Sequence, residues 1–146
     1  MKIYFDNCSL HRPLDDKAQL RVALEAEAVI GALALCDAGI AILVSSEVLL
    51  LENERHPHPR GKAFVKSSLD QATAFISVDE GIRKRARVLE QRGFKAFDSL
   101  HVACAEAGEV DYFCTCDDRL LKKSRRQSDL LVKVVSPLDL AKEISQ

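Results

Sequence analysis

At 146 residues the chain is long enough for one domain with a sizeable core, and 47% hydrophobic against 29% charged residues excludes a disordered or fibrous chain. A net charge of −1 excludes a globally basic nucleic-acid coat, so any surface for a polyanion must come from local patches. No apolar stretch is long enough to span a bilayer, since residues 28–36 stop at Asp37 and residues 41–46 at Glu47.

Lys2 is followed by only three apolar residues before Asp6, too few for a secretory leader. The five cysteines are odd in number and irregularly spaced, which suits free thiols in a reducing cytoplasm. The close pair Cys114 and Cys116 lacks further soft ligands and reads as small buried residues rather than a metal site. No linker rich in Gly, Ser or Pro divides the chain, so residues 1–146 are expected to form a single domain.

In chain order, Ile3–Phe5 is a short apolar strand ending in Asp6. Residues 7–16 hold Asn7, Pro13, Asp15 and Asp16 and read as a loop, with either aspartate available to cap the next helix. Ala18–Leu35 is a long helix, apolar on most sides, closed by Asp37-Ala38-Gly39. Its broad apolar face offers a surface for a homodimer or another protein. Ile40–Val44 is a continuous β-branched run, the pattern of a strand buried on both faces. Ser46 caps a short helix to about Arg55, and His56-Pro57-His58-Pro59 breaks the chain. A helix is predicted from Arg60 to Phe75, then a short strand or exit at Ile76–Val78.

Asp79 caps a helix over Glu80–Arg92, closed by Gly93. Asp98 opens another as its N-cap, ending at Gly108. Tyr112–Cys116 is a strand, Asp118–Arg126 a short helix and Leu131–Val135 a last strand, after which Ser136-Pro137 starts a terminal helix. Strands alternating with helices predict a three-layer α/β/α fold on a mostly parallel sheet of four to five strands. In such sheets sites form outside the carboxyl ends of the strands, where strand order switches.

Four acids point to that edge. Asp6 and Asp117 stand where apolar strands end, and either alone would read as a turn residue. Glu52 projects near the face of Val48 and Leu49, where a carboxylate needs a partner. Asp98 opens a helix, and His101 one turn later suits a supporting role beside it. Thr115 adds a hydroxyl near the last strand's end. Converging carboxylates repel one another unless a cation neutralises them, and an oxygen-only set suits Mg²⁺ or Mn²⁺. A bound divalent ion activates water and stabilises charge on a phosphate. An aspartate-nucleophile phosphatase is disfavoured, because Cys8 stands where its second acid is common. A receiver domain is disfavoured because Lys122 and Lys123 follow a helix turn, and no Gly-rich phosphate loop or GxSxG is present.

At these residues the chain resembles the PIN domain nucleases, specifically the VapC-like toxin half of bacterial type II toxin–antitoxin pairs. The matches are Asp6 after a short strand, Ser46 with Glu52, Asp98-Ser99-Leu100-His101-Val102-Ala103 opening a helix, and Tyr112–Asp117 before Leu120. They span residues 3 to 121. The resemblance implies a Mg²⁺- or Mn²⁺-dependent endoribonuclease, a hydrolase cutting single-stranded or structured RNA. It carries metal-binding roles to Asp6, Glu52, Asp98 and Asp117, with Thr115 in support. It also implies a small antitoxin protein as partner, and the apolar face of Ala18–Leu35 is expected to serve that partner or a homodimer. The residue before the last acid is often Asn in the family and is Cys116 here, and the resemblance assigns no role to Asn7–Pro13, with His11 and Arg12. The alternatives are a PIN-like module that binds RNA or protein with little or no cutting, and a metal phosphohydrolase of small esters. Two basic segments are available for phosphates, Arg83–Arg87 with Arg92 and Lys95, and Lys122–Arg126, of which the second lies closer after Asp117. His56 and His58 read as exposed loop residues.

Overall fold

The structure is a computed structural model and describes residues 1–145. Five parallel strands form one sheet in the order β3-β2-β1-β4-β5, flanked by helices. The strands are β1 (Lys2–Phe5), β2 (Ile42–Ser46), β3 (Ala74–Ile76), β4 (Tyr112–Cys114) and β5 (Lys133–Val135). The helices are α1 (Asn7–His11), α2 (Leu20–Asp37), α3 (Glu47–Glu54), α4 (Pro59–Asp70), α5 (Glu80–Gln91), α6 (Ala96–Ala107), α7 (Asp118–Arg125) and α8 (Pro137–Ile144).

Strand β1 is central because its three apolar residues can be buried on both faces. Ile3, Tyr4 and Phe5 are all fully buried. Ile3 pairs with Leu43 on one side and with Tyr112 on the other, and the Tyr4 ring stacks on Phe113 with centroids 5.3 Å apart. The chain builds outward through β2 and β3, then returns to the other side of β1 for β4 and β5. The switch in order therefore falls between β1 and β4, whose carboxyl ends deliver Asp6 and Asp117.

Several predicted boundaries move. Residues 7–14 are helical rather than loop. Asp6 caps α1 by accepting the Ser9 N–H at 3.0 Å, and Pro13 sits in a 3-10 turn over Arg12–Leu14. Helix α2 starts two residues late, and neither Asp15 nor Asp16 caps it; Gln19 holds that position without a side-chain bond. Strand β2 begins at Ile42, because Gly39, at φ 77°, turns the chain and pairing with β1 starts at Lys2. Ile40 is left exposed. Helix α4 stops at Asp70, since residues 74–76 pair with β2 instead of continuing the helix. The Ser46, Asp79 and Ser136 caps form as predicted, accepting from Leu49, Ile82 and Asp139.

Phe113 lies fully buried in β4 against Tyr4. Phe113→Ala is expected to lower the unfolding free energy by about 3–5 kcal/mol, measured by urea titration of the purified protein.

Candidate active site

Asp6 leaves β1 with only 6% of its surface exposed. Its Oδ1 accepts the Ser9 N–H at 3.0 Å and the Cys8 thiol at 3.1 Å. Burial raises its carboxyl above the usual range, and the Thr115, Cys8 and Ser9 groups around it pull the other way. Across the switch point, Asp117 caps α7 by accepting the Arg119 N–H at 2.9 Å. The buried Thr115 hydroxyl accepts the Asp117 N–H at 3.0 Å, leaving its own proton for a neighbouring acceptor. Asp118 is the first residue of α7, as its predicted bounds have it, and pairs with Arg21 at 2.8 Å.

Asp98 is not the cap of its helix. Helix α6 starts two residues earlier, after Lys95, so Asp98 stands in the first turn and its carboxylate is not spent on capping. Burial pushes it up to about 6, followed by repulsion from Asp6 and, more weakly, Asp117 and Glu52, with His101 opposing. The first turn of a helix favours an anion, but here burial, and then the neighbouring anions, outweigh it.

Glu52 is held differently. The Asn7 amide donates to its Oε1 at 2.6 Å, and His101 Nε2 lies 2.9 Å from the same oxygen. Behind His101, its Nδ1 is 2.7 Å from the Tyr4 hydroxyl, which is 2.7 Å from Ser46 Oγ. Ser46 Oγ also accepts the Leu49 N–H at 3.1 Å. One set of protons satisfies every atom: Ser46 donates to Tyr4, Tyr4 to Nδ1, and the Nε2–H to the carboxylate. Burial alone would raise Glu52, but the His101 and Asn7 bonds outweigh it and hold its carboxyl below the usual value. His101 thus serves Glu52, not Asp98 as its position in the sequence suggested. Tyr4 and Asn7 are the residues that sequence reasoning missed. A tyrosine in a fully buried strand must find a partner for its hydroxyl, and that was the signal available for Tyr4.

Arg12 ties the segment after Asp6 to α2 and to the exit of β4. It reaches the fully buried Glu25 at 3.2 Å, Asp15 at 3.0 Å and the Cys116 sulfur at 3.4 Å. Of the first basic segment, Arg83 and Arg87 pair with Glu80, Arg85 with Glu106 and Asp129, and Arg92 with Asp129. In the second, Arg125 pairs with Asp139 and Lys123 donates to the Gly93 carbonyl, while Lys122 and Arg126 make no ion pair among the described residues.

As their side chains stand, no three His, Cys, Asp or Glu groups among the described residues form a ready-made coordination shell. The donor chemistry nonetheless fits a hard cation. The acids offer only oxygen, they repel one another at Asp98, and Mg²⁺ keeps several waters and needs few carboxylates. The electrostatic cost is testable without substrate. A carboxyl at about 6 in the folded chain, against about 4 when unfolded, loses its stabilising share as pH rises through 6. With divalent ions chelated, Asp98→Asn should melt higher than the parent at pH 7.5, and the gap should close by about pH 4.

The PIN domain family model matches residues 3–126. No curated protein matches the chain. Among solved structures, VapBC2 from Rickettsia felis, bound to a DNA fragment from its promoter, superposes with a TM-score of 0.65 at 14% identity, covering 93% of this chain and 98% of that one. PAE2754 from Pyrobaculum aerophilum gives 0.56 at 15% identity, over 99% and 90% of the two chains. These likenesses agree in fold, and the family match spans the four acids: the chain belongs to the PIN domain family.

Proposed function

We propose that the chain is a Mg²⁺- or Mn²⁺-dependent endoribonuclease that hydrolyses phosphodiester bonds of RNA, and the toxin of a toxin–antitoxin pair. The reading rests on Asp6, Glu52, Asp98 and Asp117 at one sheet edge, with Asp98 pushed up to about 6 by burial and its acidic neighbours. Membership of the PIN family and the likeness to the VapBC2 assembly support it. A small antitoxin is the proposed partner, and exposed Leu20, Leu24 and Ile30 on α2 are available for it or for a second copy of the chain. No helix among the described residues is long and apolar enough to cross a membrane, and a cytoplasmic location is part of the proposal.

In this reading Asp6, Glu52, Asp98 and Asp117 hold the divalent ion, which when bound supplies an activated water and neutralises charge on the phosphate. The protein's own contribution is orientation. Ser9 N–H fixes Asp6, Arg119 N–H fixes Asp117, and Asn7 and His101 aim Glu52. The Thr115 hydroxyl holds the chain at Asp117 and offers its proton to a carboxylate or water. Lys122 and Arg126 lie along α7 and its end, after Asp117, where they attract phosphates without reading sequence.

Labelled single-stranded RNA, incubated with Mg²⁺ or Mn²⁺ and then with chelator, tests this. Cleavage should require the metal, and Asp6→Asn or Asp98→Asn should each lower it by about two orders of magnitude or more. Binding without cleavage at saturating metal would favour a non-cutting module, and turnover of a small phosphate ester with RNA intact would favour a phosphohydrolase. His101→Ala should cost about 10- to 100-fold in activity, and His101→Gln, which keeps a donor towards Glu52, should recover part of it in the same assay.

A further inference from the structure

A cavity of about 360 Å³ opens beside the acids, lined by Asn7, Cys8, His11, Asp15, Glu52, Asn53 and His56. It shares Asn7 and Glu52 with the site above. Its wall contains His56, which the sequence places in a loop, and His11. The His11 and His56 rings stack with centroids 4.6 Å apart and 26° between planes. Both rings are held: His11 Nδ1 bonds Asp15 at 2.9 Å, and the His58 N–H donates to His56 Nδ1 at 3.1 Å. Gly61 backs them, since a Cβ there would run into His11 Nε2 and, at 2.9 Å, His56 Cε1. This is a built aromatic platform rather than two free side chains.

Two residues of that wall also hold buried acceptors without a partner. Asn53 is only 4% exposed, and its Oδ1 is buried with no hydrogen-bond partner, as is the Oδ1 of Asn7. Neither amide can be turned round without loss, because Asn53 Nδ2 donates to the Lys62 carbonyl at 3.0 Å and Asn7 Nδ2 to Glu52. Buried acceptors of this kind ask for a ligand that brings N–H donors. The carboxylates of Asp15 and Glu52 in the lining disfavour a phosphate there and favour a neutral group with amino hydrogens. A flat ring that stacks on imidazole and carries an exocyclic amine meets every condition.

We propose that the cavity lined by Asn7, His11, Asn53 and His56 is a nucleobase subsite that takes an amine-bearing base, adenine, cytosine or guanine, next to the phosphate being cut. The proposal rests on the ribonuclease reading for its position in the reaction, but base binding stands apart from cleavage and can be read separately. Uracil, with a single ring N–H and no amine, fits worse.

The first arm uses the full chain carrying Asp98→Asn, titrated with AMP, CMP, UMP and ribose 5-phosphate while amide and imidazole resonances are followed by NMR. AMP or CMP should shift the Asn53 side-chain amide and the His11 and His56 rings, with UMP and ribose 5-phosphate much weaker. His56→Ala should remove the difference. The second arm uses oligonucleotides with one cleavable linkage and the adjacent base varied. Amine-bearing bases should be cut about tenfold or more faster in kcat/KM than uracil, and Asn53→Leu or His56→Ala should level the series. Nucleotides that leave these resonances still, or a base preference that survives both substitutions, would overturn the subsite. So would free arginine shifting them where nucleotides do not, which would assign the cavity to a basic protein segment. Base binding in the first arm with no RNA cut by the unsubstituted chain would sustain the subsite and sink the ribonuclease reading.

Discussion

Carboxylates gathered at one edge of a sheet repel each other, and most of the local structure can be understood as the means of holding them there. Each acid is fixed by hydrogen bonds or by burial. Asp6 and Asp117 are tied to backbone N–H groups of the helices they cap. Asp98, in the first turn of α6, has no capping duty to satisfy and carries the electrostatic cost, rising to about 6. A divalent cation would relieve that cost, which links the geometry to the proposed chemistry.

Glu52 is the instructive exception. The other three acids stand at helix N-termini, where peptide N–H groups and the helix dipole favour negative charge. Glu52 lies in the last turn of α3, where the same dipole opposes it. Its donors must therefore come from side chains, and they do, from Asn7 directly and from His101 backed by Tyr4 and Ser46. The central strand thus contributes twice to the site: Asp6 at its tip, and Tyr4, two residues earlier, through the histidine. Tyr4 also stacks on Phe113, so the hydrophobic core and the polar support share one side chain.

How much the chain reveals without a structure depends on how local each signal is. An apolar run that ends in an acid is a local pattern, and it located Asp6 and Asp117 at strand exits. Ser46 and Asp79 were equally plain as caps, because side chain and helix start are neighbours in sequence. Asp98 was misjudged by the same rule: a good capping residue sits two residues inside a helix whose cap position holds Lys95. The helix over Asn7–His11 was hidden because Asn, Cys and Ser are poor helix formers, and what stabilises it is Asp6 together with Arg12 reaching Glu25 and Cys116. The partner of His101 was beyond reach, since Glu52 lies 49 residues away and the Tyr4 link 97. The Asn53 and His56 cavity likewise depends on α1 and α3 meeting, which no local pattern announces.

The central claim is that Asp6, Glu52, Asp98 and Asp117 together bind a divalent ion. Its most direct test is Mn²⁺ binding at pH 7.5, monitored by electron paramagnetic resonance, in the parent chain and in the Asp6→Asn, Asp98→Asn double variant. The account predicts saturable binding by the parent and loss of it in a double variant that remains folded. Absence of binding by the parent, or equal binding by both, would contradict it.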